Sequence, residues 1–165
     1  MMPPIIAIAG QSNAGKTTFL VRLIAELSRR GYRIGSVKHT HHDIDLDQKG
    51  KDSWRHKQAG ARATLLVTDQ RIAMVKDDDR PDIEKMRSYL PDVDLILAEG
   101  FKGQPLPKIE IFRIDGPYDT PLFLDHPDLV ALVTNAALTP SVPVFGLDDI
   151  ESVAGFIQER YLAGR

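Results

Sequence analysis

Residues 5–9, IIAIA, form an apolar run rich in β-branched side chains that stops at Gly10. Small and polar residues follow, and from Lys16 the apolar residues Phe19, Leu20, Leu23, Ile24 and Leu27 recur at helical spacing. A plain strand-to-helix turn needs glycine, but it does not need a lysine and two threonines directly after it. The stretch Gly10, Gln11, Ser12, Asn13, Ala14, Gly15, Lys16, Thr17 fits G-x-x-x-x-G-K-[ST] between a buried strand and an amphipathic helix. This is the phosphate-binding loop. Its glycines let the backbone curl so that successive N–H groups face an anion. The helix adds its unpaired donors and positive dipole end. Lys16 is expected to bridge the β- and γ-phosphates, and Thr17 to offer its hydroxyl to Mg²⁺.

The rest of the chain alternates strand and helix. Gly31 closes the first helix, and YRIGSVKH reads as the next strand, giving a βαβ unit with parallel strands. A polar loop spans 39–52, and a short helix covers 53–59 with Asp52 or Ser53 as its cap. ATLLVT and RIAMVK flank a turn at Asp69-Gln70 as a hairpin, and Pro81 opens a helix. DLILAEG is a buried strand, and KIEIFRI alternates apolar and polar residues, which suits a less buried or edge strand. DLVALVTN and PVFG complete the sheet. The last helix starts near Asp148, with Glu151 in capping-box spacing. The expectation is one domain over 1–165, α/β, a three-layer P-loop fold with a mostly parallel sheet plus an antiparallel hairpin or edge extension.

A phosphate site of this kind needs an acidic group at the carboxyl end of a neighbouring parallel strand. Glu99 ends DLILAEG, and there it would hold a magnesium water or orient an attacking one; the plainer reading is a polar residue where a strand meets solvent. Asp94 starts the same strand and belongs at the opposite edge. Lys38, His39, His41, His42 and Asp43 crowd the loop after the second strand, with Lys51 and Asp52 further on. Three readings stand: a transition-metal site, a solvated loop, or a loop that touches phosphate or substrate at the sheet's carboxyl edge. Asp52 reads equally as nothing more than a helix cap, and Trp54 is as well suited to a core or buried interface as to stacking.

Together, AGQSNAGKTT, GSVKHTHHDIDLDQKGKDSWRHKQAGA, DLILAEGFKGQPLPKIEIFR and LVALVTN resemble the MobB family of molybdopterin-guanine dinucleotide biosynthesis adapter proteins, in order and over nearly the whole chain. The resemblance implies a dimeric GTP-binding protein that assists the nucleotidyltransferase joining GMP to molybdopterin, binds GTP with Mg²⁺ and hydrolyses it weakly. By position it gives phosphate and metal contacts to Gly10, Gly15, Lys16, Thr17 and Thr18, with Glu99 at the metal. It places His39, His41, His42, Asp43, Lys51 and Asp52 on the family's signature loop, facing substrate or partner. Dimer contacts fall to the hairpin 65–76 and the strand 108–114. One departure concerns the base. No Asn/Thr-Lys-x-Asp stretch occurs; VTNAA is nearest, and the family pattern commonly carries aspartate where this chain has Asn135. Asn135 is the candidate nucleotide-binding residue at this strand end: its amide can accept and donate at guanine, but it cannot match a carboxylate receiving both N1–H and N2–H.

Composition narrows the alternatives. A formal net charge of -2 gives no electrostatic reason to expect nucleic acid as a partner. The absence of cysteine removes thiolate chemistry and fits a reducing cytoplasm. MMPPIIAIAG lacks the marks of a signal peptide, and no apolar run reaches membrane-span length. Two other functional classes use the same loop: a small-molecule kinase and a nucleotide-binding module without turnover. Arg55, Arg62, Arg71, Arg80 and Arg113 are too scattered for a kinase lid. With no arginine evident to stabilise the transition state, hydrolysis is expected to be slow or partner-dependent.

Overall fold

The computed structural model describes residues 2–40 and 47–164. The chain divides into two compact units, Met1–His39 with Met86–Arg165, and Thr40–Lys85. In the first unit the strands β1 (Ile5–Ala9), β2 (Ile34–Lys38), β5 (Leu95–Glu99), β6 (Lys108–Phe112), β7 (Leu129–Thr134) and β8 (Val144–Phe145) form one sheet, ordered β2-β5-β1-β6-β7-β8. Every pairing in it is parallel. β1 lies at its centre and is buried along its length, which is why its sequence is continuously apolar.

The helices α1 (Lys16–Arg29) and α4 (Ile150–Tyr161) pack on one face of this sheet. Phe19, Leu20, Leu23 and Leu27 of α1 and Val153, Ala154 and Ile157 of α4 meet Ile6, Ile8, Ile109 and Ile111 there. Alternation turns Ala9 to the other face, where Phe123 and Leu129 cover it. With β5 inserted between them, β1 and β2 are parallel but not neighbours. Asp94 sits before β5 at the amino edge, where its carboxylate accepts from the Arg33 backbone N–H and guanidinium.

The structure corrects the reading of β6. It is a central strand between β1 and β7, buried at all five positions. Lys108 is fully buried and donates to the Gln104 and Leu106 carbonyls and to Asp128. Glu110, also fully buried, accepts from the backbone N–H groups of Leu122 and Phe123. The polar half of the alternation therefore anchors the 122–128 connection and does not face water. A strand so enclosed has no edge to offer, and β6 is withdrawn as a dimer contact. The caps also differ: α4 is capped at Asp149, whose side chain accepts from Gly146 N–H, so no capping box from Asp148 forms.

The second unit holds α2 (Asp52–Gln58), the strands β3 (Ala63–Val67) and β4 (Ile72–Lys76), and the start of α3 (Asp82–Tyr89), a helix that runs across the unit boundary. The cap position of α2 is Lys51, with Asp52 in the first turn and Ser53 donating to Asp47. β3 and β4 pair antiparallel as a two-stranded sheet. Thr68 closes their turn, its hydroxyl accepting from Gln70 and Arg71 N–H. No helix among the described residues is long and apolar enough to cross a membrane.

Candidate functional site

β1 ends at Ala9, and the loop 10–15 carries the chain over the carboxyl edge of the sheet into α1. Gly10 has φ 139, and a Cβ there would stand 2.4 Å from the Ile111 carbonyl oxygen, so the loop leaves the sheet through a gap only glycine fits. Asn13 takes φ 62, and Gly15, at the N-cap of α1, takes φ 87. The helical ladder opens with Phe19 N–H donating to the Gly15 carbonyl. The N–H groups of residues 16–18 therefore precede the ladder and point out of its N-terminal end.

Lys16 Nζ donates to the Gln11 carbonyl at 2.7 Å, folding back over the loop. Thr17 Oγ1 donates to Glu99 Oε1 at 2.9 Å. Glu99 ends β5, which lies beside β1 in register, and its side chain is nearly buried. Lys38, at the end of β2 and paired with Glu99 across the sheet, brings Nζ to 3.4 Å from the same Oε1. These residues surround a cavity of about 490 Å³ lined by Ser12, Asn13, Gly15, Lys16, Thr17, Thr18 and Glu99.

Charge in the site is unbalanced. Partial burial lowers the Lys16 ammonium below its ordinary value, and the charges of Lys102 and Lys38 push it further down, with only Glu99 opposing. Lys38 is paired with the Glu99 carboxylate and Lys16 lines the same cavity, so the site holds more cationic than anionic charge. Such an arrangement favours an anion, because a bound anion would relieve the mutual repulsion of the lysines. Lys102 is absent from the residues picked out by sequence. Its place three residues past Glu99, at the same carboxyl edge, is the signal that marks it.

The segment after Glu99 is strained. Phe101 has φ 52, an outlying conformation for a bulky residue. It is buried, and its ring lies 4.9 Å from that of His39. His39 N–H donates to the Glu99 carbonyl, and Gly100 N–H to that of Ile8. Phe101 and His39 thereby clasp the ends of β5 and β2 behind the carboxylate. His39 belongs to this bracing, and Lys38 pairs with Glu99. His41, His42 and Asp43 lie outside the described residues. Lys51 and Asp52 belong to the second unit. Among the described residues no three His, Asp or Glu side chains gather as a metal-binding group.

Asn135 follows β7 directly. Its carbonyl accepts from Ile114 N–H at 2.9 Å, and its amide donates to Asp115 Oδ1 at 3.0 Å. Both ends of the amide are engaged with the turn that follows β6.

A family profile described as "Molybdopterin guanine dinucleotide synthesis protein B" matches residues 5–135. The chain belongs to the MobB family. A molybdopterin-guanine dinucleotide biosynthesis adapter protein of Escherichia coli (strain K12) is 39% identical over 165 residues, covering 96% of this chain and 93% of that protein. A protein of the same description from Haemophilus influenzae is 35% identical over 158 residues, covering 94% of this chain and 88% of that one. Bacillus subtilis MobB superposes with a TM-score of 0.76 at 23% identity, over 98% of this chain and 99% of that structure. A second structure, of a molybdopterin-guanine biosynthesis protein B, superposes with a TM-score of 0.73 at 25% identity, over 94% of this chain and 98% of that one. The fold is the P-loop fold of the MobB structures. The profile ends at Asn135, so the loop before α4 and α4 itself lie outside the matched span.

Proposed function

We propose that this chain is a GTP-binding accessory protein in molybdenum cofactor biosynthesis, assisting the attachment of GMP to molybdopterin by a nucleotidyltransferase. The nucleotide half of the reading rests on one observation: a glycine-bounded loop at a helix N-terminus carries Lys16 over a cavity that Thr17 and Glu99, hydrogen-bonded to each other, also line. The accessory half rests on membership of a family whose relatives are described as adapter proteins.

In the proposed complex Lys16 exchanges the Gln11 carbonyl for phosphate oxygens, and the N–H groups of the loop and of the first helical turn take the remaining ones. Thr17 and Glu99 suit magnesium, which binds through one or two protein oxygens together with phosphate oxygens and water. Their oxygens already stand at hydrogen-bond distance from each other, 2.9 Å apart. When bound, the ion would neutralise charge between the phosphates. The protein's part is to present the two oxygens and to withdraw Lys38 from the carboxylate.

Little here would speed hydrolysis. Among the described residues, those lining the phosphate cavity include no arginine, and an arginine in that role contributes about 10³–10⁵ to the rate. The chain should therefore hold GTP and turn it over slowly until a partner completes the site. Purified protein with GTP and Mg²⁺ should release phosphate at well under one turnover per second, with tight binding measured in parallel. Turnover of many per second would replace the accessory reading with that of an autonomous enzyme. For the second unit we propose a role in homodimerisation through the β3–β4 hairpin, whose Leu65, Leu66, Val67 and Ile72 are more than half exposed.

A further inference from the structure

The phosphate cavity has a neighbour. A second hollow of about 230 Å³ is lined by Gly15 and Thr18, which it shares with the first, and follows α1 as far as Arg22. Phe19, Ile111 and Leu147 give it apolar lining, and its polar groups are Arg22, Arg113 and Asp148. This volume falls below the ~300–1,000 Å³ of a self-standing small-molecule site. It suits one end of a longer ligand whose other end lies in the adjoining cavity.

We infer that this hollow receives the base of a guanine nucleotide whose phosphates occupy the first cavity, and that Asp148 is the residue that selects guanine. The inference rests on the nucleotide reading above and extends it to the base. A flat purine gains from apolar lining on its faces, while its edge must find polar partners. Ionised carboxylates only accept hydrogen bonds, and guanidinium groups only donate them. Guanine presents N1–H and N2–H side by side, with O6 and N7 as acceptors. A carboxylate flanked by guanidinium groups answers each of these, and arginine pairs with O6 and N7 in two-pronged fashion elsewhere. Adenine would turn its N1 lone pair toward the same carboxylate and lose.

The geometry leaves Asp148 able to act. Its side chain is 89% exposed, and Oδ1 accepts from Arg22 Nη1 at 2.7 Å, so the two oxygens can be shared between Arg22 and a base edge. Arg113 reaches the hollow from the turn after β6, where its Nη2 donates to Asp115 Oδ2 at 3.1 Å. Asp115 is in turn held by Asn135. Asn135 is thus a positioning residue for Arg113, and the carboxylate that it does not supply comes from the loop before α4.

The test is competitive equilibrium binding of GTP, ATP and XTP to the full chain with Mg²⁺, for the wild type, Asp148→Asn and Lys16→Met, with folding checked by thermal unfolding. Wild type should prefer GTP over ATP. Asp148→Asn should lose about tenfold to a hundredfold in GTP affinity, keep its ATP affinity, and gain for XTP, because the amide N–H₂ can donate to the xanthine C2 carbonyl. An unchanged GTP-to-ATP ratio in Asp148→Asn, or no preference in the wild type, overturns the inference. Lys16→Met should lose all three nucleotides. If it does so while Asp148→Asn keeps its preference, only the base assignment fails; if Lys16→Met binds all three normally, the phosphate reading itself fails.

Discussion

Lys16 shows how one side chain can be costly to the empty fold and necessary to the filled one. Burial and the charges of Lys102 and Lys38 lower its pKa from the ordinary 10.5, so the empty fold binds its proton less tightly than the unfolded chain does. The sign follows from that. Below the lowered value Lys16 is charged in both states and weighs against folding. As pH rises through that value toward 10.5, the penalty fades. Lys16→Met should accordingly unfold at the wild-type temperature or slightly above it when no nucleotide is present. Nucleotide at a hundred times its Kd should stabilise the wild type by about 2.7 kcal/mol, or about 5–10 °C in a chain of this size. The variant should gain nothing, and the wild-type gain should shrink as the lysine deprotonates in alkaline buffer. Thermal scans with and without GTP, at neutral and alkaline pH, measure both trends. A variant still stabilised by GTP would mean that its phosphates bind elsewhere.

At the scale of elements, β1, the loop and α1 act as one device, and it was legible because every part of it is local. The apolar run, the glycines, the lysine and the helical periodicity lie within residues 5–29. Glu99 was legible for a related reason, since a strand's carboxyl end can be found without knowing its neighbours. β6 was not. Alternation of Lys108 and Glu110 with isoleucines looks the same whether the polar face meets water or a buried connection, and their partners lie at 122–128. The hollow beside α1 was hidden too, because it joins Arg22, Arg113 and Asp148 from three separate elements. Gly10 links the local device to the non-local strand. Gly10→Ala would place a methyl group 2.4 Å from the Ile111 carbonyl at φ 139, where backbone strain alone costs about 1–3 kcal/mol. Urea unfolding should show a loss of at least that size, with nucleotide binding weakened as well. Gly103→Ala, with nothing within 4 Å of its added carbon, should be close to neutral. Equal stability of the two variants would mean that the loop does not need its close approach to β6.

For the whole molecule the open question is what covers the hairpin. Register places Leu65 opposite Met74 and Val67 opposite Ile72, so these four side chains share one face. They are 52%, 39%, 64% and 68% exposed, in that order. A two-stranded sheet is marginal in water by itself, and an apolar face on one calls for a partner. A second copy of the chain is the occupant we propose, since a two-fold axis brings identical faces together and closes the assembly. Light scattering after size exclusion should then give twice the 18.4 kDa chain mass at micromolar concentration. Val67→Lys with Ile72→Glu sets opposite charges across the same rung, which keeps the hairpin paired while making its face polar. That double variant should run at 18.4 kDa and keep the thermal gain from GTP, because the described residues that line the phosphate cavity all belong to the first unit. A wild type that is already monomeric at these concentrations, or a double variant that remains dimeric, would remove the hairpin from the assembly.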